Sequence, residues 1–212
     1  EECAKPFLAQ LAHLITHRKG GDTAWLRPDT LAGLDRLLTY WRGAMDLGQT
    51  GLSVWRSSIM AMDSQHERAG KWRSDYCAGV DLNSYLVREM RALAALYRSA
   101  GSDEGRAGYW EAEADKLAAL VNQLCWVEEL GGYRDLDIRD GKHIPVNYAG
   151  MFATLWAGIA SPGQAGRLLR EQLLNPEKYH TPWRVPVLAA SEPGYSPDPL
   201  PDDIGCTWRA NV

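Results

Sequence analysis

The chain has 212 residues, 45% hydrophobic and 24% charged, with a formal net charge of −4, so it is globular and long enough for one sizeable core. The charge is dispersed rather than gathered into a basic footprint, which argues against nucleic acid as a partner. No stretch approaches the roughly 20 apolar residues of a membrane span and no charged-then-apolar leader opens the sequence, so no membrane partner is expected either.

From Cys3 to His17 the residues Phe7, Leu8, Leu11, Leu14 and Ile15 recur every three or four positions, the stripe of an amphipathic helix that ends at Lys19-Gly20-Gly21. A second helix starts after Arg27-Pro28-Asp29, with Asp29 as its expected cap, and carries Leu31, Leu34, Leu37, Leu38 and Trp41 on one face. Periodicity is then lost from Gly43 to Lys71, a run long enough that an irregular loop there would be functional or disordered. It returns at Val80 and continues through Leu82, Leu86, Met90, Leu93 and Leu96 to Gly101. Ser102 and Asp103 then cap a helix reaching Leu124, and the short break predicts an antiparallel hairpin. Gly131 to Gly141 reads as a short extended or hairpin segment. Val146 to Ile159 reads as a helix with Tyr148, Met151, Phe152, Leu155 and Trp156 on its apolar face. Ser161-Pro162 opens another helix ending near Leu174. Pro176 to Val212 holds most of the prolines and is expected to be an ordered loop. This succession is an all-α array of helical hairpins; its long loops favour a closed toroid over an open solenoid.

Cys3, Cys77, Cys125 and Cys206 form no CxxC pair, which gives no support to a zinc or thioredoxin-type motif. They read as free thiols, a disulfide being the minority alternative, and the compartment stays open with the cytoplasm favoured. Nine Trp and nine Tyr against two Phe is a set suited to holding sugars, because each ring pairs a flat apolar face with a hydrogen-bonding edge; for any single ring a core role remains the default. Glycosidic hydrolysis needs a carboxylic acid to protonate the leaving oxygen. Asp63, bracketed by Trp55 and Trp72, is a candidate because nearby rings would raise its pKa. Asp46, Glu67, Asp75, Asp81, Asp135 and Asp137 compete with it. Asp135, Asp137 and Asp140 have the alternating spacing of an oxygen-ligand loop, which makes a structural calcium the minority reading there; no metal or other cofactor is the expectation.

Four motifs in order change the weighting. The run GLSVWRSSIMAMDSQHERAGKW followed by GVDLNSYLVREMRAL, then GGYRDLDIRDGK, then WRVPVLAASEPGY with CTWRANV, resembles the catalytic region of glycoside hydrolase family 63 and its trehalase relatives. The bacterial branch with mannosylglycerate and glucosylglycerate hydrolases is the nearest in flavour. The resemblance implies part of an (α/α)6 toroid and hydrolysis with inversion, acting on a small α-glucoside or α-mannoside. It places the general acid on Asp63 and suggests sugar contacts at Trp55, Gln65, Arg68, Asp81, Asn83, Trp208 and Arg209. For Asp81 a helix cap is an equal alternative, and Arg68 could instead hold Glu67 or Asp63. Ala61, Ser64, Arg134, Leu136 and Ala210 depart from the family pattern.

The resemblance also implies a general base downstream of the WRA segment, beyond Val212. The expectation is therefore a single partial catalytic domain over residues 1–212, inactive as an isolated fragment and prone to self-association through faces left open by truncation. A non-catalytic carbohydrate-binding or scaffold fragment of the same fold is the alternative, and a helical-repeat interaction protein is disfavoured by the lack of a fixed period.

Overall fold

The computed structural model describes residues 6–55, 76–182, 185–193 and 195. Its helices are α1 (Leu8–Arg18), α2 (Pro28–Ala44), α3 (Val80–Ser99), α4 (Glu104–Cys125), α5 (Ala153–Trp156) and α6 (Pro162–Arg167), the last running on into a π-helical turn at Leu168–Leu173. Two-residue strands lie between them: β1 (Cys77–Ala78), β2 (Trp126–Val127), β3 (Gly132–Tyr133), β4 (Leu136–Asp137) and β5 (Lys142–His143). β1, β4 and β5 form one small antiparallel sheet and β2 and β3 another.

α3 is the axis of the molecule. Leu82, Leu86, Glu89, Leu93 and Leu96 follow the three-and-four spacing of one helix face and are completely buried, and Val80, Val87, Met90 and Ala94 are buried on other faces. A helix covered nearly all round needs neighbours on several sides, and α4, α1 and α2 all pack against it. The connection at 100–103 folds α4 back along α3. Gly101 takes φ 58° there, and Asp103 Oδ1 accepts the Arg106 N–H at 2.9 Å to cap α4, as the sequence predicts. Asp35 of α2 ties three helices together: its carboxylate accepts from Tyr97 Oη at 3.0 Å, Arg106 Nε at 2.9 Å and Trp110 Nε1 at 3.0 Å.

Three local expectations are corrected. α1 faces the core with Ala9, Ala12 and Thr16, whereas Leu8, Leu11 and Leu14 are 44%, 52% and 49% exposed. The small face lets α1 sit close to α3, where Glu89 accepts the Ala9 and Gln10 N–H groups at 2.8 and 3.0 Å. In α2 the first position is Pro28, and Asp29 lies one residue inside it with no side-chain capping bond. The helix expected over 146–159 is shorter: Tyr148 is extended, a 3₁₀ turn covers Ala149–Phe152, and α5 follows. Here the backbone pairs elsewhere. Ala149 N–H donates to Val187 O at 2.8 Å and Ala189 N–H to Asn147 O at 3.0 Å, while Asn147 N–H donates to Glu192 at 2.9 Å. α6 starts as expected, with a capping box in which Ser161 and Gln164 satisfy each other's backbone N–H. Nothing resembling a long apolar span occurs among the described helices.

Candidate active site

Among the described residues, Trp55 of the first motif, the VDLN turn and Asp135 of GYRDLD meet at the N-terminal end of α3. After α2 the chain is turned by Asp46, whose two carboxylate oxygens accept the N–H groups of Thr50 and Gly51, each at 2.9 Å, with Gly51 at φ 81°. This delivers Leu52, Ser53, Val54 and Trp55 to the core, each at most 1% exposed. Asn83, on the first turn of α3, then meets Ser53 as a neighbouring strand would. Its Oδ1 accepts Ser53 N–H at 2.9 Å, and its Nδ2 donates to Ser53 O at 2.9 Å and to Gly79 O at 2.8 Å. Ser53 Oγ donates to Trp41 O at 3.0 Å.

Trp55 is held at both of its N–H groups. The indole Nε1 donates to Asp81 Oδ1 at 3.1 Å, and the backbone N–H donates to Cys77 O at 3.2 Å; the ring meets Trp41 edge-on with centroids 6.2 Å apart. Trp55 and Cys77 flank residues 56–75, so the two stems of that segment are joined by a backbone hydrogen bond. Asp81 Oδ1 also accepts Leu82 N–H at 2.7 Å. The residue preceding α3 is Gly79, with no side-chain cap of its own; the Val80 N–H instead donates to Asp135 Oδ1 at 2.8 Å. The capping carboxylate thus comes from the GYRDLD segment 55 residues away, brought there by the pairing of β1 with β4. On the far side Gly150 lies so close that a Cβ there would sit 3.1 Å from Asp81 Cβ.

Of the site residues read from the sequence, Trp55, Asp81 and Asn83 come together in this joint at 1%, 0% and 1% exposure. Asp63, Gln65, Arg68, Trp208 and Arg209 lie outside the described residues, as do the competing Glu67 and Asp75. The carboxylates considered for calcium are turned to protein partners: Asp135 to Val80, Asp137 to Arg139 and Asp140 to Lys142. Among the described residues no group of three or more His, Cys, Asp or Glu side chains could hold a metal ion. Cys77 and Cys125 are buried free thiols, and burial, with Asp135 nearby, pushes the Cys125 thiol well up.

The sequence reading missed Tyr179 and also Glu192, which accepts the Asn147 N–H. Tyr179 is fully buried against Phe152, with centroids 5.0 Å apart; burial, reinforced by Glu192 and Asp135, raises its hydroxyl well above the ordinary value. It also missed Glu89, although a charged residue at a core position of the Leu82, Leu86, Leu93, Leu96 stripe was a visible signal.

Residues 2–210 match the family model described as the mannosylglycerate hydrolase MGH1-like glycoside hydrolase domain. The chain belongs to this family. Among relatives of this MGH1-like domain, human trehalase is 31% identical over 99 residues, which is 46% of this chain and 17% of that protein. A probable trehalase of Eremothecium gossypii is 28% identical over 106 residues, 46% of this chain and 14% of its own. Among solved structures, the family 63 mannosylglycerate hydrolase from Thermus thermophilus in complex with glucose is 21% identical with a TM-score of 0.68, covering 98% of this chain and 58% of that one. Neutral trehalase from Saccharomyces cerevisiae is 17% identical with a TM-score of 0.66, over 92% of this chain and 48% of that one. These likenesses give the fold: the hairpin array is part of an (α/α)6 toroid. The chain spans less than two thirds of the relatives it matches. It is a glycosidase-type domain of the family 63 and trehalase group.

Proposed function

We propose that this domain contributes the acid side of an inverting α-glycoside hydrolase, with Asp63 as general acid. Asp63 gives its proton to the glycosidic oxygen as the bond to the anomeric carbon breaks; a nucleophile arriving from the opposite face completes the inversion. What carries the reading is the joint at the head of α3, which fastens both stems of the segment holding Met62-Asp63 in a chain matched to a glycoside hydrolase family over 2–210. Gln65, Arg68, Trp208 and Arg209 are the proposed sugar contacts. The substrate class is a small α-glucoside or α-mannoside: a glycosylglycerate, a trehalose-like disaccharide or an oligosaccharide. Relatives named as mannosylglycerate hydrolase and as trehalase support that range.

Azide isolates the acid's contribution, because it attacks the anomeric carbon without a general base. With an α-glycoside and azide, the wild-type chain should release the leaving alcohol and form the β-glycosyl azide. Asp63→Asn should lower that rate by about 10²–10⁴-fold while calorimetric sugar binding persists. Equal rates in the two proteins would remove Asp63 from the mechanism. Sugar binding without turnover in the wild type would favour a carbohydrate-binding module, the reading to which the departures at Ala61 and Arg134 lend weight.

A further inference from the structure

We infer that Asn83 is a positioning residue that sets the entry of the Asp63 segment, and that it acts on backbone rather than on sugar. The inference rests on the hydrolase reading above and gives a different role to a side chain expected to contact substrate.

The carboxamide has one acceptor and two donor hydrogens to place. The acceptor takes the Ser53 N–H at 2.9 Å, and the donors serve Ser53 O at 2.9 Å and Gly79 O at 2.8 Å. A single side chain therefore satisfies both backbone groups of a fully buried residue, Ser53 at 0% exposure, and pins it to the turn that begins α3. An uncompensated buried backbone pair is costly, so removing the amide frees Ser53 to move. Trp55 follows two residues later, and its N–H to Cys77 O closes the stems of 56–75. A shift at Ser53 is thereby passed to the segment that carries the acid. Asn83→Ala removes the acceptor and both donors. Aspartate is isosteric with asparagine but has no N–H to give, so Asn83→Asp sets a carboxylate oxygen against the Ser53 and Gly79 carbonyls in place of the two donors and breaks the contact by repulsion.

Misplacement of reacting groups by about 1 Å can cost on the order of 10²-fold in rate. Both variants are to be compared with the wild type in two measurements: azide-assisted turnover resolved into kcat and KM, and hydrogen exchange of the Ser53 amide. The expected result is a kcat lower by about 10–100-fold with KM within about twofold. Ser53 exchange should be faster than in the wild type in both variants, since each loses the two N–H donors that hold Ser53 O and Gly79 O. A KM raised tenfold at unchanged kcat would make Asn83 a sugar ligand and overturn the inference while leaving the hydrolase reading in place. Unchanged Ser53 exchange in Asn83→Ala would overturn it whatever the sugar chemistry. A wild-type chain that yields no product counts against the hydrolase reading itself, and the exchange result then still decides whether Asn83 anchors Ser53.

Discussion

Two carboxylates, Asp35 half-buried and Glu89 fully buried, illustrate how differently one functional group behaves in one protein. Burial works to raise the pKa of Asp35, but hydrogen bonds from Arg106, Trp110 and Tyr97 outweigh it and hold the carboxyl below its usual value; the same cluster, with burial as its largest part, pushes Tyr97 up to about 12. A depressed folded pKa means stability that is present above the unfolded value, near pH 4, and lost as pH falls through the folded one. Asp35→Ala should cost about 2–4 kcal/mol at pH 7, lowering Tm by roughly 5–15 °C, and the deficit should shrink toward pH 3. A deficit independent of pH would contradict the ion-pair account. Glu89 has the opposite sign. Burial raises its pKa against the opposing bonds from Gln10 and Ala9, so the folded state loses stability as pH rises from the unfolded value through the folded one. Denaturant titrations should find wild type gaining on Glu89→Gln as pH falls toward the unfolded glutamate value near 4.5, and a reversed trend would sink that reading. The place of Glu89 in the apolar stripe was visible in the sequence, but neither carboxylate's partners were, because they lie 60 to 80 residues distant: Asp35 meets Tyr97 across 62 positions, and Glu89 meets Ala9 across 80.

At the level of elements, what was readable followed from local rules. The α3–α4 hairpin came from apolar spacing and from Asp103, and α6 from Ser161-Pro162; in each case the sequence signal and the observed cap coincide. What failed was decided by distant partners. The 146–148 stretch has a helical pattern of apolar residues, yet its backbone pairs with 187–189, and the N–H that opens α3 is taken by Asp135 rather than by the nearer Asp81. The leucines of α1 were in the right period but on the outward face, because period alone does not say which face is covered. Gly150 tests the contact between the 3₁₀ turn and α3. A Cβ there would clash with Tyr148 Cε1 as well as lie 3.1 Å from Asp81 Cβ, and Tyr148 is only 4% exposed. Gly150→Ala should therefore destabilise by about 1–3 kcal/mol. An unchanged urea midpoint would mean that the turn is free to retreat.

For the whole molecule, the resemblance carried by four ordered motifs gave family and fold, and among the described residues VDLN and GYRDLD meet at the head of α3, while the PVLAA segment pairs with residues 147–149. The opposite character appears about two turns further along that helix. There Leu11 and Leu14 of α1, with Trp156, border a groove of about 830 Å³ whose floor includes Gln10 and Arg88. Arg88 is already engaged, with Gln10 Oε1 at 3.0 Å and Trp156 O at 2.8 Å, which leaves the apolar rim as the sticky part. An exposed apolar stripe of this kind favours association. Sedimentation of the isolated chain should reveal concentration-dependent self-association that Leu11→Lys with Leu14→Lys suppresses; a monomer at all concentrations, or no response to the double substitution, would contradict this.

The central claim is that Asp63 protonates the leaving oxygen in a displacement that inverts the anomeric carbon. Proton NMR of the glycosyl azide formed from an α-glucoside in azide tests it most directly, since its H1–H2 coupling, large for β and small for α, identifies the configuration and a glycosyl azide does not mutarotate. The account predicts a β-configured product from the wild-type chain and essentially none from Asp63→Asn. An α-configured product, or a β product formed equally fast without the Asp63 carboxyl, would contradict it.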